Sequence, residues 1–233
     1  MKRPELHHSR ALVILLPVIK VLAWLIFAVY GGFMSYKNRG RTPKRGGLLI
    51  FSNHISNIDP VLVQFACRRP VHFMARRDLF TMGFLGKLVR WFRAFPVTQS
   101  SADKGALKTA IDLIEDGRAV VIFPEGQLSE DGLLRELLPG SSLIVRKTGV
   151  TCQCVGISGT DALMPFGETK MRRKRASLHA NWGEPKSFPP KASAEEIMSW
   201  INAELHALTG QPQKQTSPTS NEAGEVDSEP NSD

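Results

Sequence analysis

Along this chain, apolar and polar stretches alternate on two different periods. Short continuous apolar runs, flanked by glycine, proline or polar clusters, lie at residues 47–52, 71–75, 95–97, 119–123, 152–157 and 177–182. Each has strand length and reads as a strand buried on both faces. Between them the apolar positions recur at helical spacing, at roughly 58–67, 82–92, 102–116 and 140–148. In residues 102–116, Ala106, Ile111, Leu113 and Ile114 gather on one side and Gly117 closes the helix. A last amphipathic helix spans 194–208, with Ile197, Ile201, Leu205 and Leu208 one or two turns apart. Strands alternating with helices predict an α/β domain with a mainly parallel central sheet flanked by helices.

The two ends follow other rules. Ala11 to Met34 carry one charge, Lys20, in 24 positions, enough apolar length to span a bilayer as a helix. Pro17 and Lys20 fit equally a kinked helix or a helical hairpin lying in one leaflet. A secretory signal is disfavoured by the length of the apolar region and the lack of an Ala-x-Ala site. The expectation is an N-terminal membrane-associated helical segment. Five cations follow within residues 37–45, against Lys2, Arg3 and Arg10 before the segment. That bias predicts a body facing the cytoplasm, with the basic run against anionic headgroups. Residues 211–233 are polar and acidic and read as a disordered tail. The expected organisation is a membrane anchor with basic flank over 1–45, a catalytic domain over 46–210 and the tail.

Charge narrows the partners. The net charge is +8, and setting aside the tail's −4 leaves +12 on residues 1–210. So basic a body suits an anionic partner, membrane or phosphorylated substrate. Nucleic acid is not expected, because no zinc-finger spacing or aromatic RNA-binding signature is present. Three cysteines, Cys67, Cys152 and Cys154, form no disulfide framework, and Cys152 and Cys154, with no further ligands near them, read as small, semi-buried side chains. Five cations in Lys170–Arg175 suggest a surface that docks on anionic lipid or on an acidic carrier protein.

The candidate chemistry sits where two strand runs end. Gly47–Phe51 leads into Asn53-His54-Ile55-Ser56-Asn57-Ile58-Asp59-Pro60, and Ala119–Phe123 leads into Pro124-Glu125-Gly126. Open α/β sheets place their sites in loops at the carboxyl ends of strands. A histidine there can act as a general base, with an aspartate orienting its ring and stabilising the imidazolium. The same Ser56, Asn57 and Asp59 can also cap a helix and supply its first-turn acid.

His54-x4-Asp59 together with Phe123-Pro124-Glu125-Gly126 resembles the glycerophospholipid acyltransferase family, which contains lysophosphatidic acid acyltransferases; the likeness covers roughly residues 46–185. The resemblance implies transfer of a fatty acyl group from acyl-CoA or acyl carrier protein to the free hydroxyl of a lysophospholipid in phospholipid biosynthesis. His54 and Asp59 would be catalytic, Phe123, Pro124, Glu125 and Gly126 substrate-binding, and no cofactor or metal would be needed. The membrane itself would be a further partner. Several positions depart from the family pattern. Gln99 stands where an arginine follows the Phe-Pro-Val strand, Gln127-Leu128 replace Thr-Arg, Leu138-Pro139 lack a lysine, and Cys154 replaces a proline. Three positions suited to a phosphate monoester are thus neutral. Arg76, Arg77, Arg90, Arg93 or Arg135 are candidates to compensate; otherwise an acceptor with a larger head group, or another hydroxylated lipid, is expected. The rival readings are a non-catalytic lipid-binding relative and a thioester hydrolase.

Overall fold

The computed structural model describes Val21 and residues 24–98, 103–168 and 170–210. Seven strands form one sheet in the order β1-β7-β6-β2-β5-β3-β4. They are β1 (Gly32–Lys37), β2 (Leu48–Ser52), β3 (Val71–Arg76), β4 (Ala94–Val97), β5 (Ala119–Ile122), β6 (Cys152–Ser158) and β7 (Ala176–Trp182). The helices are α1 (Asp59–Ala66), α2 (Gly83–Trp91), α3 (Lys104–Glu115), α4 (Gly140–Thr148), α5 (Thr160–Leu163) and α6 (Ala194–Thr209).

Strands β4, β3, β5, β2 and β6 run parallel; β7 is antiparallel to β6 and parallel to β1. The central strands β2 and β5 are buried along their whole length because helices cover both faces. Alternate residues of β2 serve the two layers. Leu48 and Ile50 pack with Leu62 and Phe65 of α1. Leu49 and Phe51 pack with Ile114 of α3, Ile144 of α4 and Ile201 of α6. Strand β7, between β1 and β6, alternates instead, burying Ala176, Leu178, Ala180 and Trp182. Pro96 sits in edge strand β4, where a missing N–H is tolerated.

The helix ends obey local chemistry. Asp103 accepts from the Ala106 N–H at 2.9 Å, and Ser193 accepts from the Glu196 N–H at 3.0 Å, so both helices start on a side-chain cap. Gly117, at φ +75°, turns the chain out of α3 as its position predicts.

One correction concerns the amino-terminal region. Gly32–Met34, assigned from composition to the apolar helical segment, open strand β1, whose Met34 and Tyr36 pack against the core. Residues 24–29 are helical, Gly31 at φ +88° ends them, and the period then changes from helical to alternating. Among the described residues no helix is long and apolar enough to cross a membrane. Residues 1–20, Leu22 and Ala23, the greater part of the expected anchor, lie outside the described residues, as does the tail 211–233. The basic run 37–45 lies apart from that helix. Strand β1 carries it six residues away from the apolar helix, about 20 Å at strand rise, to the amino edge of the sheet. There Arg41 donates to the Trp182 carbonyl and pairs with Glu184 at 2.7 Å. The basic stretch beside the apolar helix is 170–175, whose Lys174 N–H donates to the Tyr30 carbonyl at 3.1 Å.

Candidate active site

Strand β2 lies between β5 and β6, with Phe51 beside Ile122 and Ser52 beside Val155. The loop leaving β2 is therefore flanked on both sides by the loops leaving its neighbours. Asn53 holds it to β6 by imitating a strand residue. Its side-chain oxygen accepts from the Ile157 N–H at 2.7 Å and its amide donates to the Ile157 carbonyl at 2.9 Å. The His54 carbonyl accepts from the Ser129 N–H at 2.8 Å, tying the loop to the β5 side.

His54 Nδ1 lies 3.0 Å from Asp59 Oδ2. The same Asp59 oxygen accepts the backbone N–H groups of Ile55 at 2.7 Å and Ser56 at 2.8 Å. Asp59 Oδ1 accepts from the Thr160 hydroxyl, supplied by the loop after β6. Asp59 is wholly buried, while the His54 side chain keeps 17 % exposure. Asp59 thus caps the turn that begins α1 and orients the imidazole at once. A five-residue spacing allows this because the chain turns back at Ser56 before the helix starts, which the Asp59 N–H bond to the Ser56 carbonyl at 3.1 Å records. With Nδ1 directed at the carboxylate, the imidazole presents Nε2 as its free nitrogen lone pair.

Phe123 stacks on the His54 ring, centroids 4.0 Å apart and planes 20° off parallel. Glu125 is turned inward, with 3 % exposure. One of its oxygens accepts the His54 N–H at 2.8 Å and the other the Arg135 N–H at 3.0 Å. Burial raises its pKa from 4.5 to about 7, against the opposing effect of those two N–H groups. Glu125 therefore braces the backbone of His54. The Pro124 carbonyl accepts the Leu138 N–H at 2.7 Å, and Gly126, at φ +71°, packs against the Leu138 side chain.

The structure brings all six predicted site residues together. It adds Thr160, Asn53 and Ser129, which sequence reading left out; Gly159-Thr160 directly follows β6, where a polar residue at a strand's carboxyl end was the available signal. Of the cations considered as compensators, Arg93 lies at the amino edge, before β4, away from the site. Arg76 is paired with Asp78, and Arg90 donates to the Gly86 carbonyl at 3.2 Å. Arg135 reaches Glu130 at 3.7 Å. A cavity of about 360 Å³ opens beside the loop, lined by Ile55, Ser129, Glu130 and Asp131 on one side and by Asp161, Phe166, Arg172 and Lys174 on the other. The three cysteines are buried, more completely than sequence suggested. Burial pushes the Cys152 thiol up to about 12 and the Cys154 thiol well above its ordinary value, so neither is an available thiolate nucleophile.

A histidine held against a buried carboxylate thus stands at the carboxyl end of a parallel sheet. The chain belongs to the Acyltransferase family, whose model matches residues 34–158. It is 30 % identical over 109 residues to the 1-acyl-sn-glycerol-3-phosphate acyltransferase of Bacillus subtilis, covering 46 % of this chain and 54 % of that protein. To the Streptococcus pneumoniae protein of the same description it is 26 % identical over 171 residues, 72 % of this chain and 60 % of the relative. The chain spans about half the length of the curated relatives it matches. The crystal structure of the 1-acyl-sn-glycerophosphate acyltransferase PlsC from Thermotoga maritima shares the fold, with a TM-score of 0.69, 22 % identity and coverage of 87 % and 82 %.

Proposed function

We propose that this protein transfers a fatty acyl group from a thioester, acyl-CoA or acyl carrier protein, to the free hydroxyl of a lysophospholipid in phospholipid synthesis. The observation that carries the reading is the His54–Asp59 pair, its carboxylate fixed by three further donors. His54 Nε2 takes the hydroxyl proton as the oxygen attacks the thioester carbonyl carbon. The tetrahedral intermediate collapses with C–S cleavage, and the imidazolium returns the proton to the departing sulfur. General-base catalysis of this kind contributes about 10²–10⁴-fold; the remainder would come from positioning the two lipids. Direct attack agrees with thiols that are buried and protonated. No metal or bound cofactor enters this scheme.

The same reading makes the protein membrane-associated, with its domain on the cytoplasmic side. Trp24, Leu25, Ile26 and Val29 are exposed on the helical segment, and Phe33 follows them at the start of β1. Because β1 and β7 run opposite to β2, these residues and the basic stretch 170–175 belong to the end of the sheet that carries His54. Apolar side chains beside cations suit an anionic lipid interface.

The test is thiol release by detergent-purified protein given either donor and a panel of lysophospholipids, with wild type beside His54→Ala. Acceptor-dependent release that falls about 10³-fold or more in the variant is expected. Release without acceptor would make the protein a hydrolase, and none with either donor would make it a non-catalytic relative.

A further inference from the structure

The cavity beside His54 is bounded by groups directly coupled to the catalytic pair. Ile55 follows His54 and gives its N–H to Asp59; Ser129 gives its N–H to the His54 carbonyl; Asp161 follows Thr160, which bonds Asp59. Through Ile55 and Ser129 the cavity adjoins the loop that carries His54. Its lining carries both signs of charge: Glu130, Asp131 and Asp161 against Arg172 and Lys174.

The basic run 170–175 divides between two surroundings. Arg172 and Lys174 line the cavity, whereas Arg175 lies over the Phe33 ring at 5.6 Å. The Arg172 side chain forms an exposed pair with Glu168 at 2.8 Å, a contact of small net strength that a ligand in the cavity can outcompete. Asp131 is engaged in its own turn, accepting from the Ser129 hydroxyl and the Leu133 N–H, both at 3.1 Å. Glu130 is held only by its long, partly exposed pair with Arg135 at 3.7 Å, a contact of small net strength, so Glu130 and Asp161 are the acids placed to meet a ligand, with Ala162, Pro165 and Phe166 as an apolar wall.

A phosphate monoester, carrying about −1.5 to −2 at neutral pH, would enter a lining whose formal charge is −1. Where the resemblance implies cations, this chain has Gln99, Gln127-Leu128 and Leu138-Pro139. A phosphodiester with a terminal ammonium instead finds cations for the phosphate and acids for the amine. We propose that the acceptor is a lysophospholipid of this zwitterionic kind, with Arg172 and Lys174 on its phosphate and Glu130 and Asp161 on its ammonium. This rests on the acyl-transfer reading above and narrows its substrate.

The experiment compares kcat/KM for 1-acyl-glycerol-3-phosphoethanolamine and 1-acyl-glycerol-3-phosphate of equal chain length in nonionic mixed micelles, with acyl-CoA and with acyl carrier protein as donor. A preference of about tenfold or more for the ethanolamine lipid is expected, that being the factor about 1.4 kcal/mol of differential binding gives. Glu130→Gln/Asp161→Asn should erase the preference by raising KM for the ethanolamine lipid while the monoester is used as well as before or better. Arg172→Gln/Lys174→Gln should weaken both. Because Asp161 also begins α5, Glu130→Gln alone provides a variant at an exposed position, with a smaller shift in the same direction. Preference for the monoester with His54-dependent turnover, or an equal loss on both lipids in the acid variants, overturns this inference alone. No His54-dependent release with either lipid and either donor overturns the acyl-transfer reading, and this inference with it.

Discussion

Glu125→Gln tests the idea that Glu125 braces the site from behind at a cost set by its burial. The carboxyl is nearly inaccessible, and burial lifts its pKa from 4.5 to about 7. Each pKa unit is worth about 1.4 kcal/mol, so the shift corresponds to about 3 kcal/mol. The native state holds this proton more tightly than the unfolded chain does. Between pH 4.5 and 7 the unfolded state therefore binds fewer protons, and stability falls as pH rises through that window. The stabilisation is complete below the unfolded pKa and lost above the folded one.

Glutamine keeps the shape and cannot ionise. Its amide, like the protonated acid, sets a donor group against one of the two N–H groups from His54 and Arg135. The variant should thus resemble wild type near pH 5. Relative to wild type it should gain about 2–3 kcal/mol on going to pH 8. His54 and Asp59 face Glu125 with opposing electrostatic effects, and both remain in place in each protein, so the difference isolates residue 125. Urea unfolding of both proteins in mild nonionic detergent at pH 5, 6, 7 and 8 measures it. A variant-minus-wild-type difference that stays flat over this range refutes the reasoning.

Two other substitutions follow from the same geometry. Asp59→Asn can keep the acceptor contacts to Ile55 and Ser56 but removes the charge facing the imidazolium. A hydrogen bond to a charged group is worth about 1.5–3 kcal/mol, so kcat should fall about 10–150-fold with the fold intact by circular dichroism; an unchanged kcat would remove Asp59 from the mechanism. Gly126→Ala forces a side chain into φ +71° and against Leu138, and should cost about 2 kcal/mol. In a Leu138→Ala background the cost should shrink, and strict additivity in a double-mutant cycle would show that the Leu138 contact carries none of it.

Much of this molecule was determined by local chemistry legible in the sequence. Six of the seven strands and the five longest helices follow from runs whose period and end residues favour one conformation, because central strands buried on both faces must be continuously apolar. The site loops were legible too, since polar residues directly after such runs lie at the carboxyl edge. Strand β1 was not, for its opening residues continue an apolar stretch and only the Gly31 turn and pairing with β7 separate them. Tertiary structure alone decided which basic run meets the end of the sheet that carries His54. That depended on β7 reversing direction against β6, which brings Lys174 to Tyr30 and carries residues 37–45 to the far edge. It also decided that Glu125 points inward and that Thr160, 101 residues from Asp59, completes its hydrogen bonding. Such contacts join segments distant in sequence, and no local period records them: they exist only once the strand order has placed three loops side by side.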